Sequence, residues 1–167
     1  NLGESVAPPV VKPAKGFRFA TDFLTGWPGG RCDLFQLSPA TTAAERDANL
    51  EHKRVHGYTV VCPYFHNTGD GGGKHPVNAL KDVAHTHAVL EQMRAAGLAV
   101  VGFIFSDSHK VSKADQPRIA LETVKAFDAK VAAWCLYLEP KDTTDDATLE
   151  KVAAAVRGAT DKLIFIH

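Results

Sequence analysis

The sequence is poor in the features that announce a function outright. Its 167 residues hold one methionine, two tryptophans and three cysteines, and 19 basic side chains are balanced by 19 acidic ones. A formal net charge of zero leaves no electrostatic footprint for nucleic acid and no polybasic patch for an anionic lipid surface. No apolar run approaches the roughly 20 residues of a membrane-crossing helix, so membrane insertion is not expected. The cysteines are Cys32, Cys62 and Cys135. An odd number without a CxxC pair gives neither a disulfide framework nor a zinc knuckle. Cys62 and Cys135 fall in apolar runs and are expected as buried free thiols. Phosphate signatures are missing too. The stretch Thr68-Gly-Asp-Gly-Gly-Gly-Lys74 imitates a phosphate loop, but Thr68 stands where the first glycine belongs and His75 follows the lysine. It reads as a loop over a strand end. No GxGxxG follows the first strand, and no cofactor is implied.

What is present is an alternation of apolar strand-like runs and amphipathic helices. Strands are expected at Phe17–Phe23, Tyr58–Phe65, Leu98–Phe105, Val131–Leu138 and Leu163–Ile166. Helices are expected at Ala43–His56, Val77–Ala96, Gln116–Ala129 and Asp146–Arg157. Thr42 and Glu45 form a capping box before the first helix and Gly57 closes it. Gly97 and Gly158 end the second and fourth, and Asp115 is the candidate cap of the third. The segment from Thr25 to Pro39 reads as irregular loop. Strands that are apolar throughout suit a parallel sheet covered on both faces. The pattern is (βα)4β, either the N-terminal half of a (β/α)8 barrel or a five-stranded doubly wound sheet. Residues 1–15, with Pro8, Pro9 and Pro13, read as a linker from an upstream region. Residues 16–167 are expected to be the first half of a barrel domain that continues beyond His167.

Period two sorts the strand faces. Val131, Ala133, Cys135, Tyr137 and Glu139 share one face of their strand, while Trp134, Leu136 and Leu138 take the helix-covered side. Val101, Phe103, Phe105 and Asp107 align likewise. Arg18 and Asp22 would pair inside the barrel, since a buried charge needs a partner.

The chemistry is expected at the carboxyl ends of the strands, where parallel α/β folds place their sites. Polar residues close them: Asp22, His66 with Asn67, Asp107, Glu139 and His167. Glu139 is the strongest, an acid directly after a core strand, expected as a general acid/base with its pKa raised by burial and neighbouring carboxylates. Asp22, His66, Asn67, Asp107, His109 and His167 are candidates for gripping hydroxyls. Trp27, in a Gly/Pro-rich loop, and Tyr64 are candidate stacking platforms, whereas Trp134 should be core. A divalent-metal set of His66, Asp107, Glu139 and His167 is an alternative. His85 and His87, two apart on a helix, diverge and make no pair.

A Glu ending the fourth barrel strand resembles the clan A glycoside hydrolases. That resemblance implies an acid/base role for Glu139 and a second Glu on a later strand. The position before Glu139 holds Leu138, where the clan has Asn. Phe19-Ala-Thr-Asp22, Trp27-Pro-Gly-Gly-Arg-Cys-Asp33, Ala44-Glu-Arg-Asp47 and Tyr64-Phe-His-Asn67 are similar to glycosidase-like barrels attached to phage tail and baseplate proteins. This implies a virion module that binds or trims a polysaccharide or cell-surface glycan, alongside other tail proteins. The competing expectations are a catalytically inactive structural or glycan-binding module and a metal-dependent hydrolase or isomerase.

Overall fold

Five parallel strands, laid side by side in the order in which the chain makes them, dominate the structure. The computed structural model describes residues 32–35, 37–68, 75–140 and 143–167. The expected linker at 1–15, the strand at Phe17–Phe23, Arg18, Asp22 and Trp27 lie outside them, as do residues 69–74 of the glycine-rich loop.

The chain runs β1 (Cys32–Phe35), α1 (Ala43–Val55), β2 (Val60–Asn67), β3 (Val77–Asn78), α2 (Val83–Ala95), β4 (Ala99–Phe105), α3 (Gln116–Phe127), a 3-10 turn (Asp128–Lys130), β5 (Ala133–Tyr137), α4 (Asp146–Arg157) and β6 (Leu163–Phe165). The sheet order is β1-β2-β4-β5-β6, every neighbouring pair parallel. A doubly wound sheet reverses direction at a switch point. This sheet never reverses within the described residues, so the singly wound half barrel stands and the doubly wound alternative falls. With all connections running the same way, the strands' carboxyl ends share one rim.

The helices begin and end where local chemistry dictates. Thr42 accepts the Glu45 N–H at 3.2 Å and Glu45 accepts the Thr42 N–H at 2.8 Å, which completes the capping box of α1. Gly57 and Gly97 follow α1 and α2 at φ 76° and 77°, the left-handed region that glycine enters without strain. Three expectations change. Val77–Asn78 is not helical but pairs antiparallel with β2, and α2 starts only after Asp82, which accepts the His85 N–H at 3.0 Å. Cys32–Phe35, expected as loop, pairs in parallel with β2. Asp115 does not cap α3: it is αR, and its carboxylate engages Ser112 and Arg118 instead. The free-thiol expectation holds for Cys135 and fails for Cys62, which is disulfide-bonded. An odd count excludes complete pairing but still permits one bridge.

Each sheet face has its own core. Val61, Phe65, Val100, Ile104, Trp134 and Leu136 pack with the helices. Val60, Cys62, Tyr64, Val101, Phe103, Ala133 and Cys135 form the other cluster. Period two therefore holds through the strand centres and breaks at their carboxyl ends. Phe105 and Tyr137 join the helix-side cluster, and Leu138 packs on the opposite one. The Tyr137 hydroxyl donates to Gln116 Oε1 on α3 at 2.7 Å, which holds that ring on the helix side.

Trp134 is fully buried as expected, and its indole lies against β4 at Gly102. At the opposite rim its Nε1–H donates to Asp128 Oδ1 at 2.8 Å, which also accepts from Thr160 at 2.8 Å. A Cβ on Gly102 would stand 2.5 Å from Trp134 Cζ3 and 2.7 Å from Cε3. Gly102→Ala is thus expected to destabilise by about 1–3 kcal/mol, the usual cost of overpacking. Urea unfolding followed by tryptophan fluorescence checks this, and an unchanged midpoint would contradict the packing.

Candidate functional site

The carboxyl rim carries two groups of polar residues rather than the single ring expected from the strand ends. The first surrounds Glu139. This residue sits two positions past β5 and is the one non-glycine residue with positive φ among those described, at 45°. A left-handed glutamate costs of order 1–3 kcal/mol and persists only where its surroundings impose it. They do so here through the backbone of His167: its N–H donates to Tyr137 O at 3.1 Å, and its carbonyl accepts the Glu139 N–H at 3.3 Å. His167 is thus placed beside Glu139 by its main chain, while its exposed ring lies 6.2 Å from Phe103. The burial expected for Glu139 is not found; the residue is exposed. Rotation of the chain at 138–139, beyond the last ladder pair, carries it out of the strand's alternation.

Tyr64 and Asp107 belong to the same neighbourhood. The Tyr64 phenol is pushed up to about 12, first by burial and then by the neighbouring acidic groups Asp107, Cys135 and Glu139. It therefore remains a neutral O–H donor. Its oxygen is buried without a hydrogen-bond partner, and so is Asp107 Oδ1. Unpaired buried polar atoms of complementary type are uncommon in native interiors. Tyr64 entered the sequence reading only as a stacking platform; its alignment with Phe103 and Cys135 on one face was the available signal for more. Burial raises the Cys135 thiol to about 12, so it supplies no thiolate at neutral pH.

The second group lies around His66, Asn67 and His109. His66 is 3% exposed and its Nε2 meets Thr123 Oγ1 of α3 at 2.8 Å. The Thr123 hydroxyl donates its only hydrogen to Ile119 O at 2.7 Å. It can therefore only accept from His66, which fixes the proton on Nε2. The Asn67 amide ties the loops: Oδ1 accepts from Ser106 at 3.0 Å and Ser108 at 2.7 Å, and Nδ2 donates to His75 O at 3.3 Å. His66, Asn67 and His109 line a cleft of about 540 Å3 together with residues from β3, α2 and the loop after β4; Glu139 and Asp107 do not line it. Sequence reasoning missed the cleft's opposite wall, because Val77–Asn78 was read as helix.

The four residues of the metal alternative are accordingly split between the groups. Among the described residues no three His, Cys, Asp or Glu side chains are placed to hold a metal ion.

No family model and no curated protein matches the chain. Solved structures do. An endoglucanase from Pseudomonas stutzeri superposes with a TM-score of 0.55 at 11% identity, covering 81% of this chain and 50% of that one. A cellotetraose complex of an endocellulase from Pyrococcus horikoshii gives 0.54 at 11% identity, with coverages of 81% and 50%. A cellulase–inhibitor complex gives 0.51 at 13% identity, with coverages of 72% and 44%. The chain thus spans about half the length of these proteins. At such identities the likeness shows the fold, that of a glycoside hydrolase-type (β/α) barrel over half its circuit.

His66 and His109 also set a pH dependence. Burial lowers both imidazoles from the ordinary 6.5 to about 4, and for His66 the neighbouring His109 adds to the effect. The unfolded chain takes up protons as pH falls through 6.5, whereas the folded protein resists them until about 4. The stability contribution is therefore complete above the unfolded value and is lost as pH falls from 6.5 toward 4. The urea midpoint is expected to be lower at about pH 4.5 than at about pH 7.5, with His109→Phe flattening part of the difference. Equal midpoints would contradict the burial of the two rings.

Proposed function

We propose that this chain is half of a carbohydrate-active (β/α) barrel that binds or cleaves a polysaccharide or cell-surface glycan, with Glu139 as its general acid/base. The carrying observation is the backbone of Glu139: a left-handed glutamate at the carboxyl end of a barrel strand, braced through His167. Strain of this kind clusters at functional sites. In the proposed chemistry the Glu139 carboxyl protonates the leaving glycosidic oxygen. Exposure suits the approach of a glycan, and closure of the site by substrate would supply the desolvation that an acid catalyst needs. Glycoside hydrolysis requires two carboxyl groups. Asp107 shares the neighbourhood, and the resemblance to clan A puts the second Glu on a later strand of the complete barrel. Asp22, His66, Asn67, Asp107 and His167 would grip sugar hydroxyls and Trp27 would stack on a ring. The proteins of like fold include endoglucanases and an endocellulase complexed with cellotetraose, which supports a polysaccharide ligand. The Cys62 disulfide fits an oxidising, extracellular setting.

A second reading is favoured by Leu138, which stands where clan A has Asn: an inactive glycan-binding or structural module, of the kind carried on phage tails. In that reading the rim retains its grip on sugars and Glu139 takes no part in bond cleavage.

Two substitutions separate the readings. Glu139→Gln is expected to lower hydrolysis of soluble polysaccharide by about 100-fold or more, within the range for loss of a general acid, with an unchanged melting temperature. Retained hydrolysis would remove the acid role. Absence of turnover in the parent protein, with glycan binding that survives the substitution, would favour the inactive module. Glu139→Gly relieves the left-handed strain, so it is expected to leave the fold as stable or up to about 1 kcal/mol more stable. A marked loss of stability would show that Glu139 serves the fold.

A further inference from the structure

Beneath the rim lies a polar side chain to which the acid/base reading gives no role. Gln116 opens α3 and is fully buried. Its amide bonds outside the helix. Nε2 donates to Val111 O at 3.1 Å, in the loop after β4, and to Thr143 O at 2.7 Å, in the loop after β5. Oε1 accepts the Tyr137 hydroxyl at 2.7 Å. Chemistry fixes this orientation: the two carbonyls can only accept, so the NH2 must face them and the oxygen must face the phenol. Tyr137 keeps its proton for that bond at neutral pH, since burial pushes its phenol up to about 12. Both donors and the acceptor of the amide are thus matched, which is the condition for burying it.

The partners on the β5 side bracket Glu139. Tyr137 precedes the glutamate at the end of β5, and Thr143 follows it before α4. Glu139 is left-handed, a conformation that lasts only where its surroundings impose it. The main chain of His167 braces it from one side. Gln116 holds the same stretch from α3, and its bond to Val111 joins that stretch to the loop carrying Asp107. Lys113 Nζ and Asp145 Oδ2 link the same two loops at 2.9 Å, but both side chains are about half exposed, and such pairs contribute little. The buried amide is the firmer tie.

We propose that Gln116 is a positioning residue for the site: it clamps the chain on both sides of Glu139 and fixes where the carboxyl stands, without touching the glycan. The inference rests on the acid/base reading above and adds the residue that sets its geometry. Misplacing a reacting group by about 1 Å can lower turnover on the order of 100-fold. Loss of the clamp should therefore act on kcat more than on KM.

The test is Gln116→Met, which keeps the side chain's length and removes its hydrogen bonds. With soluble polysaccharide, kcat is expected to fall about tenfold or more, with KM within about twofold of the parent. In the 15N-labelled protein, relaxation is expected to show added fast motion at the Glu139 and Thr144 amides, with Val61 and Ile104 in the sheet as in the parent. An unchanged kcat beside Glu139-dependent turnover would overturn the clamp and leave the acid role standing. A parent protein without turnover would remove the acid role, and the amides would then decide. Glu139 and Thr144 as rigid in Gln116→Met as in the parent would overturn the clamp, and loosening confined to them would support it. If Gln116→Met fails to fold, Tyr137→Phe, which deletes a single oxygen from the clamp, decides by the same measurements.

Discussion

Everything in this structure follows from the need of parallel strands to be covered on both faces. A parallel ladder with apolar residues on each side cannot present either face to water without losing the burial that stabilises it. The helices cover one face, with Trp134 seated on Gly102 and held at its polar edge by Asp128. The other face gathers Tyr64, Phe103 and Cys135 into a second core. Because each connection passes the same way, the strand order never reverses and all carboxyl ends meet along one rim. The polar residues that terminate β2, β4 and β5 are brought together by that topology, not by closeness in sequence.

The rim divides according to how each strand ends. On β2 and β4 the last residues rotate toward the helices, where Thr123 satisfies His66, and Phe105 stacks 4.8 Å from His109. On β5 Tyr137 likewise joins the helix-side core. Its hydroxyl is anchored on Gln116, and the following two residues carry Glu139 into left-handed backbone beside the main chain of His167. The strand ends leave His66, Asn67 and His109 lining a cleft, and Asp107 with Glu139 in the neighbourhood of Tyr64. A single sugar-gripping ring, natural from the strand ends alone, would have required the alternation to continue to the last residue.

The legible part of the fold was set by local chemistry. The capping box at Thr42, glycine at 57 and 97, and the apolar β2, β4 and β5 runs were readable because each depends on neighbouring residues. So was the burial of Trp134. Three features were not, and each depends on distant partners. Val77–Asn78 carries a helix-compatible pattern and becomes a strand because β2 offers it a ladder. Cys32–Phe35 is short and follows glycines, and becomes a strand because β2 has a free edge. The Cys62 bridge is invisible to a count of three. Glu139 stood out by its position after a core strand, but its exposure depends on the backbone turn at 138–139. The shared neutrality of His66 and His109 depends on burial beneath residues distant in sequence.

The role proposed for Glu139 is to meet the glycan at the carboxyl rim. Its most direct test is a crystal structure of the Glu139→Gln protein soaked with cellotetraose. A glycosidic oxygen is expected within hydrogen-bonding distance of the side-chain amide at position 139. Sugar bound elsewhere on the protein, with that side chain turned to bulk solvent, would contradict it.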